Sequence, residues 1–149
     1  MNLYDKAKEK NVLAGILILD LFAFIGYIIL PSGFIFFGDA HIIIGSIFGL
    51  RFALKYIKEN QSIVKYGILV GTIGSIFAGI SMAIYQWVIF SLYNGFKFFL
   101  LIGAIVIFMF LGLILGLLMG GILGFYYSKK EKKALSQDKI EDAFYESLK

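Results

Sequence analysis

The chain has 149 residues, of which 60% are hydrophobic and 16% charged, with a formal net charge of +4 and no cysteine. So few charges cannot coat so much apolar surface in water, and the length suits one compact unit. The composition excludes a disulfide scaffold, a thiolate nucleophile and a cysteine metal site. Lysines confined to short segments between apolar runs point to membrane orientation rather than nucleic-acid binding.

Lys6, Lys8 and Lys10 open the chain in the manner of a signal peptide. The apolar run at 12–30 is too long for a signal h-region, and no small-x-small cleavage site follows it, so it reads as an uncleaved first span. Pro31, Ser32 and Gly33 then form a turn signal. This run holds one carboxylate, Asp20, at roughly 14 Å from the inner edge of a helix starting at Asn11. A charge there costs roughly 2.5–3.5 kcal/mol on an insertion scale, so it must face protein or a wet cavity, or be protonated. Its helical neighbours are Ile16, Leu17, Ala23, Phe24 and Tyr27.

A second span is expected at about 35–56. It carries His41 near its outer end, with Asp39 beside it, and the chain's one arginine, Arg51, deeper in. Arg51 lies about 9 Å from the inner edge, and its long stem can bring a guanidinium to the depth of Asp20. Asp20 therefore has three readings: a structural ion pair with Arg51, a packed neutral acid bonded to a backbone or tyrosine oxygen, or a coupling site for a proton or cation. His41 reads first as an interfacial or structural histidine. A lone histidine among scattered carboxylates lacks the spacing of a metal site.

The third and fourth spans are expected at about 66–93 and 98–127. Both exceed the ~20 residues that a perpendicular crossing needs, so they tilt, or the stretch 88–99 folds back along the outer interface. Trp87, beside Gln86, and Tyr93 suit an interfacial belt. Small residues recur every four positions: Gly45, Gly49 and Ala53 in span two; Gly67, Gly71, Ser75, Gly79 and Ala83 in span three; Gly112, Gly116, Gly120 and Gly124 in span four. Such stripes serve close helix packing, inside one bundle or along a homo-oligomer seam. The pentamer "IGSIF" occurs at 44–48 and again at 73–77, in opposite halves of their spans, as an inverted repeat would place it.

Residues 128–149 form a charged tail. Leu135, Ile140, Phe144 and Leu148 fall roughly on one helical face, beside a cluster at Lys129, Lys130, Lys132 and Lys133 that anchors topology or meets anionic lipid. Basic segments precede span one, separate spans two and three, and follow span four, whereas the other two connections hold only Lys97. Basic loops stay cytoplasmic, which predicts both ends of the chain inside the cell membrane.

The layout resembles that of uncharacterised families of small four-helix prokaryotic integral membrane proteins, which show an entry to the third span like "SIVKYGILVGTIGS" and a lysine-rich end after the fourth. It is also similar in architecture to small multidrug exporters, which carry one acid in the first span, though the lysine bias and the missing exporter motifs set it apart. The sequence thus predicts an all-α, up-down four-helix membrane bundle at 1–127 with a short cytoplasmic amphipathic tail. Its expected partners are the bilayer and either further copies or other membrane subunits, with no cofactor and no nucleic acid. The leading expectation is a non-enzymatic accessory or assembly subunit that packs through its glycine faces. The alternative is a small oligomeric transporter or channel with Asp20 as coupling residue. An enzyme comes third, for want of a nucleophile, metal cluster or phosphate loop.

Overall fold

The computed structural model describes residues 10–29, 40–57 and 62–147, with side chains through Glu131. The described residues form four helices: α1 (Asn11–Ile29), α2 (Ala40–Lys55), α3 (Ile63–Asn94) and α4 (Phe98–Ser147). No proline interrupts them, and an apolar helix satisfies its own backbone groups without water. The turn signal at 31–33, the start of span two at 35–39 and Asp39 lie outside the described residues.

Three helices are long and apolar enough to cross a membrane: α1, α3 and the α4 segment Phe98–Glu131. The described part of the second expected span is shorter, 16 residues, and carries Arg51. At 1.5 Å per residue it reaches about 24 Å, less than a ~30 Å hydrocarbon core. The helix that carries the fourth expected span runs on past Tyr127 to Ser147, so the charged tail continues it. No glycine or proline occurs in 128–147 to break it. The amphipathic face expected on that tail rests on side chains outside the described set.

The stretch 88–99 does not fold back as a separate segment. Helix α3 runs to Asn94, three residues turn the chain, and α4 begins at Phe98. Gly95 makes the turn with φ 79° and ψ 162°, a conformation open almost only to glycine. Its N–H donates to Ser91 O at 3.0 Å. Trp87 stacks edge-on against Phe96, and its indole Nε1–H donates to Lys97 O at 3.0 Å, which holds the turn against α3.

Helices α3 and α4 pack antiparallel, backbone to backbone. A Cβ added at Gly71 would stand 2.5 Å from Gly116 O, and one at Gly67 2.7 Å from Gly120 O. Cβ atoms at Gly112, Gly116 and Gly120 would collide with the Ser75, Gly71 and Gly67 carbonyls. Gly79 meets Phe108, and Gly124 meets Val64. Toward the turn the helices part, and nothing lies within 4 Å of a Cβ at Gly103.

Helices α1 and α2 make a second antiparallel pair. Gly45 faces Leu19 and Ala23, Gly49 faces Gly15 and Leu19, and Ala53 faces Gly15. At the end away from the Gly95 turn, Asn11 Nδ2 donates to Ala53 O at 3.0 Å and so supplies a partner for a carbonyl in the last turn of α2. Parallel packing of α1 on α3 joins the two pairs, with Gly15 against Val70 and Leu19 against Gly74. Both copies of "IGSIF" meet here. In each, the Gly-Ser pair is buried, and Gly45 and Gly74 abut Leu19 from helices of opposite direction.

The interior has two apolar clusters. One gathers Ile16, Leu50, Ala53, Leu54, Ile63 and Val70. The other gathers Leu19, Ala23, Ile42, Ala78 and Met82 nearer the turn. Outside them α4 is coated with exposed apolar side chains, among them Phe110 at 63% and Phe125 at 67% exposure. That coat suits lipid rather than water.

The close approach gives a clean test. Gly116→Ala should lower stability by about 1–3 kcal/mol, because a methyl must push two backbones apart. Gly121→Ala, where a Cβ meets nothing within 4 Å, should leave stability unchanged or raise it slightly. Thermal melts of both variants in one mild detergent make the comparison, and equal melting would contradict the packing.

Candidate functional site: a half-buried acid between α1 and α3

Asp20 is the middle residue of α1, nine positions from either end. It shares a helical face with Phe24 and Tyr27, at i+4 and i+7. On α3, Ser81 and Tyr85 are likewise four apart. These two faces meet. The Ser81 hydroxyl lies beside the Asp20 carboxyl, and Phe24 lies edge-on to Tyr85 with ring centroids 5.7 Å apart. The other carboxyl oxygen, Oδ1, is shut off from solvent and has no hydrogen-bond partner.

Above this pair, toward the turn end, the aromatic rings converge on Tyr27. Its ring lies 5.4 Å from His41 of α2, 6.1 Å from Tyr85 of α3 and 6.4 Å from Phe108 of α4, each at a steep interplanar angle. Tyr27 is thus the one side chain in this group touched by all three other helices. His41 is buried, at 4% exposure. Gly26 lies against it: a Cβ there would stand 3.5 Å from His41 Nδ1, an ordinary contact distance. The result is a column of proton-bearing side chains, Asp20, Ser81, Tyr85, Tyr27 and His41, spanning about 10 Å from the middle of α1 toward the turn end.

Arg51 is not part of it. The face of α2 turned toward α1 carries Gly45, Gly49 and Ala53, and Arg51 lies 200° around the helix from Gly49. Its side chain is exposed at the opposite end of the molecule, where it lines a cavity with Lys55 and Lys130. Among the described residues, no ion pair joins Asp20 to Arg51, and the expected partnership is replaced by the contact with Ser81. The structure therefore brings together two of the three expected polar residues, Asp20 and His41, and leaves out the third.

The small residues occupy two seams. Gly67, Gly71, Ser75, Gly79, Gly112, Gly116, Gly120 and Gly124 lie where α3 meets α4, and Gly45 and Gly49 lie where α2 meets α1. Ser81 and Tyr85 escaped the sequence reading. The available signal was geometric: both lie about 200° from the glycine stripe at Gly79 and Ala83, so they had to face a different helix. No group of three His, Cys, Asp or Glu among the described residues is placed to hold a metal.

No protein-family model, curated protein or solved structure matches this chain. The class is set by the fold itself: an all-helical protein with three helices long and apolar enough to span a membrane.

The missing ion pair is testable by a double-variant cycle. Asp20→Leu and Arg51→Leu should be additive within about 0.5 kcal/mol, as for independent sites. Asp20→Asn should melt within about 1 kcal/mol of the parent, since the amide oxygen can still accept from Ser81. A coupling of several kcal/mol between positions 20 and 51 would restore the ion pair.

Proposed function

We propose that the chain is a four-helix, up-down integral membrane protein with both ends cytoplasmic, and that it acts as a small transporter in which Asp20 binds a proton or a cation. The observation that carries this reading is the acid itself. It sits at the middle of α1, and among the described residues no cationic side chain pairs with it and one carboxyl oxygen is unpartnered. An intramembrane carboxylate that is not consumed by a structural salt bridge is suited to take up and release charge. The hydroxyl, phenol and imidazole groups toward the turn end supply a polar route for that charge on one side. Orientation follows from the lysines: Lys10, Lys55, Lys65, Lys129 and Lys130 lie at one end and Lys97 at the other. Helix α2 crosses as the shortest span, and the bilayer thins or flanking side chains snorkel to match it.

A second reading, the non-enzymatic accessory subunit, is favoured by a separate observation. The glycine faces are used up within the chain, but α4 presents a broad apolar surface and an open Gly121. That surface is available to lipid or to another membrane helix, a further copy included.

Two measurements address the proposal. In proteoliposomes carrying an imposed pH gradient, the parent should dissipate the gradient at least about tenfold faster than Asp20→Asn, because the amide cannot titrate. Equal rates, with equal incorporation, would remove transport and leave the accessory role. For topology, a reporter fused after Lys149 should read as cytoplasmic and one inserted near Ser32 as external. A cytoplasmic reading near Ser32 would refute the four-span arrangement.

A further inference from the structure

At the end away from the turn, a cavity of about 620 Å³ opens between α2 and α4. Arg51 and Lys55, one helical turn apart on α2, face it together with Lys130 of α4. One carboxylate, Glu131, shares the cavity, so its formal charge is +2. Among the described residues, none of the three cations is held in an ion pair, and Lys55 has only the face of Tyr56, 5.5 Å from the ring centre. Three like charges drawn to one cavity repel one another unless an anion joins them. The phenols of Tyr126 and Tyr127 stand at the rim, stacked edge to face. Beneath them the lining is apolar: Leu54, Ile57 and Ile63.

We propose that this cavity binds the phosphate of an anionic phospholipid, with Arg51, Lys55 and Lys130 around the headgroup and the acyl chains running over Leu54, Ile57 and Ile63. The assignment does not depend on the role of Asp20. A guanidinium forks onto a phosphate through two N–H groups, and two ammonium groups complete the charge. The apolar lining argues for a lipid rather than free phosphate, because an inorganic ion would leave those side chains uncovered. The position argues the same way. Tyrosine and lysine side chains mark the interface of a membrane-crossing helix, where headgroups reside.

Binding is measured on the full chain in neutral detergent by native mass spectrometry, with phosphatidylglycerol, phosphatidylcholine or inorganic phosphate as the probe. Phosphatidylglycerol should bind at least about tenfold more tightly than phosphatidylcholine. The triple variant Arg51→Gln, Lys55→Gln, Lys130→Gln should bind it roughly 100-fold more weakly, at about fivefold per cation. Lys130→Gln alone, at an exposed position, should lose about fivefold and serves if the triple variant does not fold. Lys65→Gln, outside the cavity but near the same end, should bind as the parent does. Unchanged binding in Lys130→Gln, an equal loss in Lys65→Gln, or no preference over phosphatidylcholine would each overturn the proposal. So would inorganic phosphate binding as tightly as phosphatidylglycerol, which would make this a soluble-anion site.

Discussion

Everything in this structure depends on how closely two backbones can approach. Helices in lipid gain little from burying apolar side chains, since the surrounding chains are just as apolar. What remains is dispersion and weak hydrogen bonding at short range, and both fall off steeply with separation. Helices α3 and α4 answer this with a seam from which side chains are almost absent: Gly67, Gly71 and Gly79 against Gly112, Gly116 and Gly120. Because α4 is held through one narrow face, the rest of its circumference is left to leucine, isoleucine and phenylalanine facing outward. The same glycines that weaken an isolated helix are what lets the two backbones come this close.

Helix α3 is the common wall. Its glycine face is occupied by α4, so its opposite face, with Gly74, Ala78, Ser81 and Tyr85, is what α1 and α2 have to pack on. That division places Asp20 beside a hydroxyl rather than beside a cation. It also leaves Arg51 on the far side of α2, among groups of its own sign. Two charged residues that a depth argument would pair are thus separated by rotation about a helix axis. The half-buried acid stays apart from the arginine, which lines the cavity at the other end of the molecule.

Much of this was legible from residue spacing, and the reasons differ by element. The apolar runs located α1, α3 and the apolar part of α4, because length and hydropathy are local properties. The drop in hydropathy at Ser128 bounds the apolar part of α4 but does not end the helix, because no glycine or proline occurs in 128–147. The Gly95 turn was only one of two options, since a glycine inside an apolar run gives no sign of its φ. Position along each helix was readable, which put Asp20 roughly 14 Å and Arg51 about 9 Å from the inner edge, a gap the arginine stem could span. Azimuth was not, because the partner of each face is set by tertiary packing. Ser81 went unnoticed for that reason: a serine in a serine- and glycine-bearing helix carries no signal until its neighbour is known.

The three-residue link at Gly95–Lys97 bears on the order of assembly. Closing so short a loop costs little chain entropy, and the α3–α4 seam zips outward from it through contacts close in sequence. The α1–α2 seam likewise involves only neighbours along the chain. Each hairpin joins helices adjacent in the chain, and the packing of α1 on α3 brings the two pairs together. Asp20 and Ser81 lie on that shared surface. The site therefore comes into being only with the complete fold.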